Sequence, residues 1–206
     1  MNKSGIILIG AGGHAKSCID VIESEGRFQI AGIVGVESEI WSELFGYRVI
    51  GMDEDLPKLA TSFPNALVAV GQIMSSDLRE RLYLRVASCG FHQPAIISPK
   101  AHVSKRSNVG DGTIVMHHAV INAGARVGEN CIINTGSLIE HDVTVGNNCH
   151  VATRAVLNGG VHLNDGCFIG SGSVIRENTE IGEKSVIGMG TVVRHDQPAC
   201  SIFVGN

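Results

Sequence analysis

The hydrophobic and polar positions of this chain fall into two regimes that meet near residue 94. In the first, short apolar runs alternate with stretches of helical period. GIILIG is a continuous apolar run closed by glycine and predicts a buried strand; beyond it Ala15, Cys18, Ile19 and Ile22 recur on one face of a helix that Gly26 ends. Phe28 to Val34 predicts a second strand, Asp53 to Thr61 a short helix, Ala66 to Val70 a third strand and Asp77 to Ser88 another helix. Asp77 and Glu80 have the spacing of a capping box at the start of that helix, and Gly90 suits its end. Strands alternating with helices predict an α/β domain over residues 1–94, a small Rossmann-like parallel sheet of βαβ units.

From Ile97 onward the pattern becomes a strict period of six. Stepping six residues at a time, from Ile97 through Val115, Ile133, Val151, Ile169 and Ile187 to Val193, meets only Ile, Val or Leu. Four residues after each as far as Ile187 comes a small or β-branched side chain, as at Ala119, Ala125, Ser137, Ala155 and Ser173. One inward aliphatic per six residues means three short strands per turn of a triangular coil, with residues eighteen apart stacked about 4.8 Å above one another. Residues 95–206 are therefore expected to form a parallel β-helix. Cys131, Cys149 and Cys167 are spaced by eighteen and form one column at the small-residue position, which favours packing over metal ligation.

Composition narrows the function classes. The net charge is -4 with Lys and Arg scattered singly, which leaves no electrostatic footprint for nucleic acid or an anionic membrane surface. Glycine is abundant, at 26 residues, while aromatics are only 4%, a balance that suits many tight turns lined by small side chains. The opening residues carry no long apolar run, so neither a signal peptide nor a membrane span is expected, and six cysteines without a CxxC pair fit reduced thiols in the cytoplasm. Gly10, Gly12 and Ala15 satisfy a G-x-G-x-x-A pattern between a strand and a helix. The tip of the second strand reads Val34, Gly35, Val36 where a nicotinamide site wants an acidic ribose ligand, which argues against a dehydrogenase. What remains is a helix N-terminus able to hold a phosphate, with His14 beside it; the same glycines also suit a plain strand-to-helix turn.

The six-residue repeat resembles that of the left-handed β-helix acyltransferases, a superfamily dominated by acetyl-CoA dependent enzymes that work as trimers. The left-handed sense is implied by that resemblance, because the general crossover preference is right-handed. The segment NTGSLIEHDVTVGNNCHVA, with Asn134, His141, Asp142 and His150, resembles the active-site stretch of the bacterial nucleotide-sugar and sialic-acid acetyltransferases. GAGGHA resembles the opening of their N-terminal sugar-nucleotide domain, so the likeness spans both halves.

That resemblance implies a set of roles. His141 would be the general base for direct acetyl transfer and Asp142 would hold its other ring nitrogen, with Asn134 and Gly159, eighteen beyond His141, supporting the site and its oxyanion. His150 would touch the acetyl end of acetyl-CoA, although an exposed loop histidine would look the same, and the pantetheine would pass Ser171 and Met189. Arg176, Lys184 and Arg194 could meet cofactor phosphates or be plain solvated surface. Gly13, His14, Ala15, Gly35, Val36 and Gly71 would line a site for a nucleotide-linked 4-amino-6-deoxysugar. Relatives that read uracil commonly carry two aspartates where this chain has Gly35 and Val36. A homotrimer without a metal is implied.

Three other readings stay open: an O-acetyltransferase of sialic acid or a related nonulosonate, a zinc hydratase on the same β-helix, and a non-catalytic scaffold or sugar-binding subunit. The hydratase would need three converging imidazoles from among His117, His118, His141, His150 and His162. His117 and His141 are 24 residues apart, off the eighteen-residue step that would stack them.

Overall fold

A computed structural model describes residues 3–205. Its N-terminal sheet has the strand order β3 (Glu43–Leu44), β4 (Tyr47–Gly51), β2 (Phe28–Val34), β1 (Ser4–Ile9), β5 (Asn65–Val68). β1 lies between β2 and β5 and pairs in parallel with both, and β2 pairs in parallel with β4. Between β1 and β2 lies α1 (Gly13–Glu25), which buries Ala15, Cys18, Ile19, Val21 and Ile22 and stops at Gly26, left-handed at φ 75°, whose N–H donates to Ile22 O. α2 (Leu56–Ala60) follows a 3-10 turn, and α3 (Asp77–Ser88) follows β5.

Four details depart from the sequence reading. β4 and the two-residue edge strand β3, antiparallel to β4, were not expected: two residues carry no readable alternation, and β4 buries only Val49 and Gly51. The short helix divides into the 3-10 turn Asp53–Asp55 and α2. β5 ends at Val68, two residues early; Arg79 Nη1 takes the carbonyls of Val68 and Val70 at 2.7 and 2.9 Å. Asp77 is the first helical residue of α3 and Ser76 its cap, with no side-chain capping bond, so no capping box forms.

Beyond Ile96 the backbone runs as two-residue strands in three parallel sheets of six, five and seven strands. Register steps by eighteen, as in Ile121 opposite Ile139 and Ile139 opposite Leu157, so each coil is hydrogen-bonded to the next. The inward aliphatics from Val115 to Val193 are buried, whereas Ile97, Val103 and Val109, at the open first coils, are partly buried. Each corner turns through a left-handed residue every six positions, filled by Gly112, Gly124, Gly136, Asp142, Asn148 and Gly160 among others, which accounts for the glycine content. Cys131, Cys149 and Cys167 stack in the interior, each Sγ lying 3.1 Å from a backbone carbonyl of the next coil.

The three outer faces differ in chemistry. One presents Ile96, Ile114 and Ile132 to α1 of the N-terminal domain, where they and Met116 are buried with Cys18, Ile19 and Ile22. A second presents Val120, Leu138, Val156, Val174 and Val192, an unbroken apolar column that no other element covers among the described residues. The third presents Asn108, Arg126, Thr144, His162 and Glu180. Arg79, 1% exposed, joins the two halves by donating to Val68 and Val70 on one side and to Asn130 and Gly112 on the other. Among the described residues no helix is long and apolar enough to cross a membrane.

Candidate active site

His141 and Asp142 occupy the corner between the apolar and polar faces, after the strand Leu138–Ile139. Asp142 adopts φ 60°, and its Oδ2 lies 3.0 Å from His141 Nδ1. With Nδ1–H donated to that carboxylate, Nε2 carries the lone pair. The imidazole lies against Gly159 of the next coil: a Cβ there would meet Nε2 and Cε1 at 2.7 Å. Below, a Cβ on Gly124 would collide with Asp142 Oδ1. Absent side chains therefore seat both members of the pair. Gly159 N–H, like the second N–H of every corner, donates to no backbone carbonyl among the described residues. The surrounding hollow, about 610 Å³, is lined also by Glu140, Asn158, Gly160, Glu177 and Asn178. Glu140 Oε2 accepts from Asn122 Nδ2 at 2.9 Å and lies 3.3 Å from the His141 N–H.

The other predicted residues lie elsewhere. Asn134, Ser171 and Met189 belong to the corner between the apolar face and the face covered by the N-terminal domain, where Gly172 N bonds Thr153 O and Gly190 N bonds Ser171 O as the column rises. Ser171 is exposed, and Met189 is 83% exposed. His150 is not a loop histidine but sits in a strand, 8% exposed. Its Nδ1–H donates to Gln72 O at 2.6 Å, its Nε2 faces Asn134 Nδ2 at 3.1 Å, and its ring meets Phe168 edge-on. Burial, with the Arg79 guanidinium nearby, pushes its pKa down to about 4, so it is a neutral imidazole at pH 7. His117 is held separately, between Ser98 Oγ and Asp20 of α1, so three of the histidines a hydratase would need to converge are spent on separate partners.

In the N-terminal domain, Gly13 and His14 open α1 with Ala15 buried behind them, and Gly71 lies beside His14, its Cβ position 3.5 Å from that of His14. The His14 ring nitrogen Nε2 is enclosed without a hydrogen-bond partner among the described residues, and burial lowers its pKa to about 3, with Arg79 and His150 adding to the effect. Gly35 and Val36 line a cavity of about 410 Å³ at the carboxyl ends of β1, β2 and β5, together with Gly10 and Val70. The acidic side chains absent from the tip of β2 reappear here: the 3-10 turn Glu37–Glu39 and the turn after β4 bring Glu37, Glu39, Asp53 and Glu54 to the wall. Sequence reasoning missed these four, and also Gln72, Arg79 and Gly124. Of them Gly124 had a signal, lying eighteen residues before Asp142.

Comparison with known proteins agrees with this layout. Residues 5–86 match the PglD N-terminal domain, and residues 124–159 and 160–195 match the bacterial transferase hexapeptide repeats. The solved structure of PerB from Caulobacter crescentus, in complex with CoA and GDP-perosamine, is 33% identical, with 97% of this chain and 93% of that chain covered at a TM-score of 0.90. The acetyltransferase domain of PglB from Neisseria gonorrhoeae, in complex with acetyl coenzyme A, is 29% identical, with 98% and 96% covered at a TM-score of 0.88. WeeI from Acinetobacter baumannii, at 24% identity and a TM-score of 0.84, shares the fold. No curated protein sequence matches the chain. The architecture is an α/β domain followed by a left-handed β-helix.

Proposed function

Since the chain belongs to the hexapeptide-repeat acetyltransferases that carry a PglD-type N-terminal domain, we propose that it transfers an acetyl group from acetyl-CoA to the 4-amino group of a nucleotide-linked 4-amino-6-deoxysugar. The observation that carries this is the His141–Asp142 pair seated over Gly159, an imidazole whose Nε2 is open to a hollow and whose Nδ1 is held by a carboxylate. CoA and GDP-perosamine bound together in PerB support the substrate pair.

In this mechanism the sugar amine attacks the thioester carbonyl while His141 Nε2 takes its proton. Asp142 stabilises the imidazolium and keeps Nε2 aimed at the hollow, and the Gly159 N–H is the donor for the oxyanion. As the C–S bond breaks, the imidazolium returns the proton to the departing thiolate, so no acyl-enzyme forms and no cysteine is needed. Gly13, His14 and Gly71 hold the diphosphate side of the substrate, with Ala15 packed behind them, and Gly35 and Val36 its base. We place the division of the chain at residues 94 and 95, and the protein in the cytoplasm, a compartment that suits its free cysteines.

His141 and the Ser171–Met189 column lie at the two edges of the apolar face, so one chain holds the base and the cofactor track apart. Three copies packed by that face around a common axis would bury Val120, Leu138, Val156, Val174 and Val192. The same packing would bring the His141 corner of each copy against the Asn134, Ser171 and Met189 corner of the next. The homotrimer is thus part of the proposed mechanism: each site is built from two copies.

His141→Ala tests the reading. It should lower kcat by about 10²–10⁴ in an assay of thiol release from acetyl-CoA against nucleotide 4-amino sugars, with the circular dichroism unchanged. An unaltered rate would remove His141 from the mechanism. Acetylation of free nonulosonates in preference to every nucleotide amino sugar would favour the O-acetyltransferase reading.

A further inference from the structure

We infer that the cavity at the strand ends selects guanine among the nucleobases, through the unspent carboxylates of Glu37 and Asp53; this rests on the nucleotide-sugar reading above. The cavity opens where α/β sheets receive nucleotides, and Ile9, Val34, Val70 and Leu82 give it apolar walls suited to the face of a base. Two neighbouring loops form its acidic side and are built alike. After β2, Glu39 Oε2 accepts the Val36 N–H at 3.0 Å; after β4, Asp55 Oδ2 accepts the Met52 N–H at 2.9 Å. In each turn the carboxylate of the third residue, Glu39 or Asp55, is thereby consumed in holding the loop. The first, Glu37 or Asp53, lines the cavity with no hydrogen-bond partner for its side chain among the described residues.

An ionised carboxylate only accepts hydrogen bonds. Guanine presents N1–H and the 2-amino group side by side, two donors spaced for the two oxygens of one carboxylate. Uracil and thymine present a single N–H between two carbonyl oxygens, and adenine and cytosine set an amino group beside a ring nitrogen lone pair. Each of these alternatives places a lone pair against the carboxylate. The lining holds no Lys, Arg, Asn, Gln, Ser, Thr or His side chain that could donate to a uracil carbonyl. The cavity therefore reads donors, and guanine is the base with two adjacent ones.

Isothermal titration of the full chain with GDP, inosine diphosphate, UDP, dTDP and ADP tests this without relying on turnover. GDP should bind at least about tenfold more tightly than UDP, dTDP or ADP, and inosine diphosphate, which lacks the 2-amino group, about tenfold more weakly than GDP. The double variant E37Q/D53N should lose the preference for GDP, binding GDP more weakly and UDP at least as tightly as the parent, because its amides can donate to the uracil carbonyls, while its melting temperature stays within error of the parent. UDP or dTDP binding as tightly as GDP, or an intact preference in the double variant, would overturn the inference and leave the nucleotide-sugar reading standing. Failure of every nucleoside diphosphate to bind would remove both.

Discussion

The imidazole of His141 is positioned less by what touches it than by what is missing beneath it. Gly159 has ordinary backbone geometry, so alanine is tolerated there conformationally, yet its Cβ would fall 2.7 Å from the ring. Gly159→Ala should therefore displace the base and lower kcat by about 10²-fold while shifting the melting temperature little, a pairing that steady-state kinetics and thermal unfolding will reveal. Gly124→Ala differs, because φ 81° strains alanine there and its Cβ would strike Asp142 Oδ1. It should cost both stability and rate. Asp142 itself needs its left-handed turn, and a short polar side chain tolerates that conformation better than most.

At the scale of elements, the coils stack on a shared interior, and one buried cation bonds both halves of the chain. Ile139, buried between Ile121 and Leu157, should cost about 2–5 kcal/mol on truncation to alanine, read by urea denaturation. Arg79 holds no carboxylate; its guanidinium is spent on backbone carbonyls from β5 and the loop after it and from two corners of the β-helix. Arg79→Met would leave those buried acceptors unpaired, at about 1–3 kcal/mol each, and should lower the denaturation midpoint well beyond what a surface Arg→Met change does. Lysine, with a single ammonium, cannot reach both halves in the same way.

For the whole molecule, acid should weaken the fold through two histidines. His14 and His150 titrate near 3 and 4 in the folded state, below their ordinary value of about 6.5, so the unfolded chain binds protons more readily. Their contribution is complete above about pH 6.5 and is lost as pH falls toward 4 for His150 and 3 for His14. Urea midpoints measured from pH 7.5 to 4.5 should fall, and His150→Gln should flatten that slope. Assembly supplies the second test at this scale. L138E combined with V156E places two charges in the apolar column and should yield folded monomers without activity, measured by sedimentation and thiol release.

The β-helix was legible from residue order because its constraint repeats every six positions: each coil needs an inward aliphatic, so Val115 through Val193 announce the interior before any coordinates exist. Gly159, eighteen beyond His141, follows from the same arithmetic. The strands β1 and β2 and the helices α1 and α3 were readable from their apolar residues, while β3 was too short for a period and β4 buries only Val49 and Gly51. Nothing in the order of residues joined Arg79 to Asn130, buried His150 under Gln72, or carried Glu37 and Asp53 to one cavity wall. A period is a local property, fixed by the geometry of neighbouring residues along the chain. Which distant surfaces meet depends on how the sheet docks on one face of the coil, and that is settled by packing among residues far apart in sequence.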